Sequence, residues 1–132
     1  VIRRIVYTSQ PRTDLPAQEI ARIAGVSRAR NERDGISGVL IYTGMDFAQL
    51  IEGEGDRVQA LWQRIRADPR HVDIVPLLDE PDARPWFPEW RMGYLVDTEF
   101  SRRLADWRAQ GRWTGPEARQ EVRLRFTAAD SL

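Results

Sequence analysis

Cysteine is absent from this 132-residue sequence, which removes disulfide frameworks, thiolate nucleophiles, iron–sulfur clusters and cysteine-ligated zinc together. Lysine is absent as well, because all 20 basic residues are arginine. Schiff-base, P-loop and pyridoxal chemistry therefore have no amine to use. One histidine is too few for a histidine-rich metal site. Neither sign of charge is in excess, with 20 basic against 20 acidic residues, so there is no net positive field to attract a nucleic-acid backbone. Long apolar runs are missing too. None approaches the ~18 residues of a membrane span, and the opening VIRRIVYTSQ has no extended apolar stretch before a small-residue cleavage site. A soluble, cytoplasmic protein with no nucleic-acid or membrane partner is expected.

What is present is a composition able to fold unaided: 42% hydrophobic and 30% charged residues, at a length that suits one domain plus a short appendage. Residues Ile2 to Ser9 alternate, with Ile5, Tyr7 and Ser9 on one face and Arg4, Val6 and Thr8 on the other, as a strand requires. Asp14 as N-cap and Pro16 in the first turn predict a helix over residues 15–30, carrying Ile20, Ile23, Ala24 and Ser27 at helical spacing. The runs Ile36 to Tyr42 and Asp46 to Glu52, separated by Thr43-Gly44-Met45, predict a hairpin.

Asp56 is a candidate cap for a second helix with Val58, Leu61, Trp62 and Ile65 on its apolar side, ending before Pro69. Strands are expected at Val72 to Leu78 and at Trp90 to Val96, with a proline-rich loop, Pro81 to Pro88, between them. From Thr98 onward the pattern is helical, with a break at Gly111 to Pro116, and Leu104, Trp107, Trp113, Val122, Leu124 and Phe126 as apolar anchors. The order is the split-βαβ pattern. The expected class is α+β: a ferredoxin-like β-α-β-β-α-β-β sandwich, with a five-stranded mixed sheet, both helices on one face, and C-terminal helices. Residues 1–97 form the expected domain and residues 98–132 a helical extension.

Alternation puts Tyr7 beside Ile5 and Ser9, and Gln49 beside Phe47 and Ile51. A phenol and a carboxamide on adjacent central strands thus aim into the layer under the helices. A buried polar group without a partner costs roughly 1–3 kcal/mol, so Gln49 must be satisfied, either by an ordinary Tyr–Gln hydrogen bond or by a polar ligand in that layer. Asn31, followed by a loop with Gly35, suits a helix C-cap, although its amide could equally serve a ligand. Asp68-Pro69-Arg70-His71 has the composition of a solvated turn.

Four segments together carry a family pattern: RRIVYTS, RNERDGISGVLIYTGMDFAQLIEG, ALWQRIRADPRH and FPEWRMGY. Over about residues 3 to 96 the chain closely resembles the BLUF family, flavin-binding sensors of blue light. The most specific stretch runs from Asn31 through Gly53, in the order Asn, DGISG, aliphatic strand, F-x-Q-x-x-E-G. The resemblance implies a non-covalently held flavin between the two helices, FAD foremost, with FMN or riboflavin as other forms. It implies that Ile23 and Ile65 flank the ring and that Asn31 bonds its carbonyl edge. Gln49 would face the ring's N5 and O4 positions, and Tyr7 would bond Gln49. Arg30, Asp68, Arg70 and His71 match positions near the pyrimidine edge or the ribityl-phosphate tail. Arg30 departs from the asparagine or histidine of many members, bringing a charge that an amide lacks.

The implied activity is photochemical rather than enzymatic. Tyr7 gives up an electron and a proton, and the Gln49 amide ends rotated or tautomerised. Trp90 and Met92, two apart on the last expected strand, match a pair that exchange near Gln49 between dark and lit states, while plain core packing would explain them equally. Signal would pass through that strand and the tail to a protein partner, with a homodimer interface or simple cover for the bare face of the sheet as further uses of the tail. Rival functions on this scaffold lack their marks. A phosphohydrolase needs a glycine-lined anion cradle that TSQPRTD does not supply, and an RNA-binding module needs exposed strand aromatics that DFAQLIEG does not supply. A ferredoxin-like ligand- or protein-binding module without photochemistry is the alternative.

Overall fold

The computed structural model describes residues 1–12, 16–89, 91–110, 120, 123, 124 and 126. Its elements run β1 (Ile2–Pro11), α1 (Ala17–Asp34), β2 (Ser37–Tyr42), β3 (Phe47–Glu54), α2 (Gly55–Ala67), β4 (His71–Asp82), β5 (Gly93–Val96) and α3 (Phe100–Gln110). The sheet order is β4-β1-β3-β2-β5. β1 lies antiparallel to β3 and β4, β2 antiparallel to β3, and β5 parallel to β2. The hairpin strand β3 is thereby inserted between β1 and β2, which α1 connects, and the mixed five-stranded α+β sheet expected from the sequence results.

Period-two alternation gives each side of this sheet its own core. Ile5, Tyr7, Ile36 and Ile51 pack against Val58, Leu61 and Trp62 of α2. On the other side Val6, Val39, Ile41, Ala48 and Leu50 pack with Phe100 and Leu104 of α3 and with Phe126. Leu124, expected as an anchor, is instead 64% exposed, while Phe126 is the buried residue that packs on this side of the sheet. Trp113, Val122 and the break at Gly111 to Pro116 lie outside the described residues, as do Asp14 and the side chain of Trp107.

Several boundaries differ from expectation for identifiable reasons. α1 continues to Asp34 and ends at Gly35, whose φ of 68° supplies the left-handed cap expected of Asn31. The Asn31 carbonyl accepts the Ile36 N–H at 2.9 Å, so Asn31 belongs to the last turn. Asp56 does not cap α2, which starts at Gly55 with no side-chain cap bond. It sits in the first turn, where a carboxylate still complements the helix dipole. β4 extends to Asp82 through Pro76 and Pro81, so part of the expected proline-rich loop is strand. Proline is tolerated there because β4 is an edge strand. β5 begins at Gly93 rather than at residue 90. The carbonyls of Arg91 and Met92 are taken by side chains of α1 and do not join the ladder.

Candidate functional site

A cleft opens on the helix side of the sheet between α1 and α2, enclosing about 790 Å³ of empty space, the solvent-open part included. Its walls are Ile23 of α1 and Ile65 of α2. Tyr7, Gln49 and Leu40 form the floor, and Arg30, Asp68 and Arg70 also line it. The floor follows from strand register: Tyr7 pairs with Gln49 across β1 and β3, and Gln49 with Leu40 across β3 and β2. The walls follow from helical spacing, since Ile23, Ser27, Arg30 and Asn31 recur at intervals of three and four.

The phenolic O–H of Tyr7 donates to Gln49 Oε1. Gln49 is 8% exposed, and the partner of its Nε2 among the described residues is the Met92 Sδ, 3.7 Å away. A thioether is a weak acceptor. Two strong N–H donors therefore face a soft sulfur and the cleft. The opposite amide orientation would leave the phenolic hydrogen without an acceptor, so donation from Tyr7 fixes the direction of the amide. Burial, assisted by the Asp68 carboxylate, raises the Tyr7 phenol well above its ordinary ionisation range. Burial thus widens, on the alkaline side, the range over which the phenol stays protonated. Trp62 packs on it with ring centroids 5.3 Å apart.

Met92 is buried beside Gly38. A Cβ on Gly38 would stand 2.6 Å from the Leu50 carbonyl oxygen, so only glycine lets β2 pass this close to β3, and the Met92 Cε lies at van der Waals distance, 3.5 Å, from the same point. The Met92 carbonyl accepts from Arg28, at 3.1 Å to Nη2 and 3.4 Å to Nε. The Asn31 Nδ2 donates to the Arg91 carbonyl at 2.5 Å, one hydrogen of its NH2 group remaining for another acceptor.

At the far end of the cleft, Asp68 and Arg70 form a forked pair with Nη2 to Oδ2 at 2.6 Å. The Arg70 guanidinium beside Asp68 holds that carboxyl below its usual range. His71, the first residue of β4, is no solvated turn residue. Its Nε2 lies 2.6 Å from the Ile65 carbonyl and its Nδ1 lies 2.8 Å from the Ser9 Oγ. A carbonyl can only accept, so Nε2 carries a hydrogen, and in the neutral ring Nδ1 accepts from Ser9. Both nitrogens are engaged within the protein. Arg30 lines the cleft and forms no hydrogen bond or ion pair among the described residues.

Tyr7, Ile23, Arg30, Asn31, Gln49, Ile65, Asp68, Arg70, His71 and Met92 are thus brought around one cleft, while Trp90 lies outside the described residues. Met92 precedes β5 rather than lying on it, so strand alternation does not relate Met92 to Trp90. Ser27, Leu40, Phe47, Leu61 and Arg64 also line the cleft and were not among the expected site residues. Signals for four of them exist: Ser27 follows Ile23 by one turn, Leu61 precedes Ile65 by one turn, Phe47 shares Gln49's face, and Leu40 stands opposite it.

Comparison with known proteins is consistent across sequence and structure. Residues 2–93 match the family model described as sensors of blue-light using FAD. The blue light- and temperature-regulated antirepressor BluF of Escherichia coli is 33% identical over 78 residues, 59% of this chain and 19% of that protein. A photoactivated adenylate cyclase subunit alpha-like protein of Euglena gracilis is 35% identical over 94 residues, 69% of this chain and 9% of that protein. The chain thus spans about a fifth or less of these curated relatives. Among solved structures, the dark-state structure of BlrB, a BLUF protein, superimposes with a TM-score of 0.78 at 35% identity, covering 99% of this chain and 97% of that one. A bacterial light-regulated adenylyl cyclase gives a TM-score of 0.71 at 33% identity, over 83% of this chain and 34% of that one.

Proposed function

The chain belongs to the BLUF family, sensors of blue light using FAD, and we propose that its light signal arises at the Tyr7–Gln49 pair and leaves through Met92. It is a flavin-binding photosensor, and the cyclase and antirepressor activities belong to the larger relatives that bear those names. The observation that carries the site assignment is the under-bonded Gln49 Nε2, a buried amide donor with a thioether as its partner, facing the cleft. A flat heterocycle with acceptors along one edge suits it. Aliphatic walls at Ile23 and Ile65 and the unpaired Arg30 guanidinium fit the same ring. We assign Ile23, Arg30, Asn31, Gln49, Ile65, Asp68 and Arg70 to flavin binding, with His71 holding Ile65 and Ser9 in place. When bound, the flavin supplies blue-light absorption and an excited state that accepts an electron readily.

The protein's part is a hydrogen-bond reversal. Tyr7, protonated at neutral pH as any phenol is, donates to Oε1 and holds the amide in one direction. Were a bound, excited flavin to take an electron from Tyr7, with the phenolic proton leaving along the hydrogen bond to Gln49 toward the reduced ring, that hold would disappear. A half-turn of the amide then presents Nε2 to Tyr7 and Oε1 to the cleft, at little steric cost because the two ends are alike in size. The reversal also sets an oxygen against the Met92 sulfur in place of an N–H, which turns an attraction into a repulsion. Glutamate has acceptors at both ends and leucine has none, so neither can make this exchange.

Residues 1–97 act in this reading as the sensor, and the extension from residue 98, docked through Phe100 and Leu104 on the opposite face, as the route to a downstream protein partner or a second copy of the chain. The test is an absorption spectrum before and after blue illumination. The flavin bands are expected to move to longer wavelength and return in the dark, and Tyr7→Phe is expected to hold flavin without this change. An unchanged cycle in Tyr7→Phe would mean that another residue is the electron donor.

A further inference from the structure

We infer that Arg28 is a positioning residue: it latches the backbone of Met92 to α1 and so governs how fast Met92 returns to Gln49 after illumination. The inference rests on the reading that Gln49 reports to Met92. Arg91 and Met92 form a bend before β5, whose ladder with β2 starts at the Gly93–Val39 pair. Their carbonyls have no strand partner, and two side chains of α1 take them. Arg28 directs two donors of its fork at the Met92 oxygen, and Asn31 donates to the Arg91 oxygen. These two residues stand three apart on one helix face. Met92 is consequently held at both ends. Its side chain rests beside Gly38 and Gln49, and its backbone rests on Arg28.

The two holds differ in kind. The side-chain hold depends on which end of the Gln49 amide faces the sulfur, and it fails when the amide turns. The backbone hold depends on a guanidinium that stays charged and is indifferent to the amide. Arg28 therefore keeps the segment near its seat while the side-chain contact is broken, and it favours the return. It is also separable from the cleft. Asn31 lines the cleft and Arg28 does not, so Arg28 can be removed without altering the lining. Alanine favours a helix at an exposed position, and Arg28 is exposed.

Three proteins test the inference: wild type, Arg28→Ala and Arg28→Lys, each flavin-loaded. Two rates are read, hydrogen exchange of the amides at residues 92–94 in the dark and thermal recovery of the absorption spectrum after a blue pulse. In Arg28→Ala the dark exchange should quicken and the recovery slow, each by roughly 3-fold or more, the scale of one charge-assisted hydrogen bond at an exposed site. The dark spectrum should not move. Arg28→Lys, which keeps the charge but not the fork, should fall between. Exchange and recovery equal to wild type in Arg28→Ala would overturn the inference, and so would faster exchange with unaltered recovery, which would reduce Arg28 to a structural contact. A wild-type protein that loads flavin but does not respond to light would instead overturn the photosensor mechanism and the lifetime role, while dark exchange would still report the latch itself.

Discussion

Arg4 and Tyr7 lie three residues apart on β1 and face opposite sides of the sheet, where polar groups are treated in opposite ways. The Arg4 side chain is fully buried and close to saturated. Its Nε donates to Glu52 at 2.9 Å, and Nη1 donates to Glu80 at 2.8 Å and to Asp82 at 3.0 Å. Nη2 reaches the Arg84 carbonyl at 3.0 Å. The Trp86 ring lies 3.9 Å from its guanidinium carbon, and Glu52 also accepts the N–H groups of Trp86 and Phe87. Gln49, by contrast, has one strong partner and one weak one. A saturated network has one arrangement, whereas the direction of the Gln49 amide rests on a single strong hydrogen bond, the one from Tyr7. β3 carries both Glu52 and Gln49, so the strand is fixed three residues from the amide that we propose to turn. In that reading the scaffold is rigid and the adjustable bond is confined to one side chain.

That contrast is open to attack at several strengths. Arg4→Ala should have the largest effect on stability, about 3–5 kcal/mol, because it strands the Glu52 carboxylate in the interior. A urea unfolding series measures it, and a loss under about 1 kcal/mol would break the contrast. Leu104→Ala, on the same side of the sheet, should cost about 2–5 kcal/mol through the cavity it leaves. Tyr7 contributes a smaller, pH-dependent effect. Its folded-state pKa is raised, so the associated stability is complete below the unfolded value near 10. Above that pH the unfolded chain ionises first, and wild type should lose up to about 1.4 kcal/mol per pH unit more than Tyr7→Phe. Unfolding at pH 9 and 11 compares them. Gln49→Leu should change stability least, by less than about 1 kcal/mol. The stranded Tyr7 hydroxyl costs roughly 1–3 kcal/mol, and the buried leucine returns a similar amount.

Local patterning made the helix-facing side of this fold legible, and non-local pairing made the rest illegible. Alternation in IVYTS and FAQLI is enough to place Tyr7 and Gln49 together, since register follows from which residues are apolar. The end of α1 is ambiguous in the sequence because Asn31 and Gly35 both suit left-handed geometry, and the φ of Gly35 decides it. The length of β4 could not be read from Pro76 and Pro81. Those prolines are tolerated by edge position, and the strand end is held by Arg4, whose partners Glu80 and Asp82 lie more than seventy residues away in the chain. The start of β5 also depends on a non-local contact, because Asn31 of α1 takes the Arg91 carbonyl that a longer strand would have used. At the site, the family pattern named ten of the cleft's residues but not Ser27 and Leu61, which helical spacing alone marks, nor Arg64, which nothing in the sequence marks.

The central claim is that the reversible partner of the ring is the Gln49 amide, and the most direct measurement is the light-minus-dark absorption difference of flavin-loaded Gln49→Leu beside wild type. Wild type is predicted to show a displacement of its visible bands to longer wavelength that decays in darkness, and the variant is predicted to bind flavin and show none. A displacement of normal size in Gln49→Leu would contradict the account.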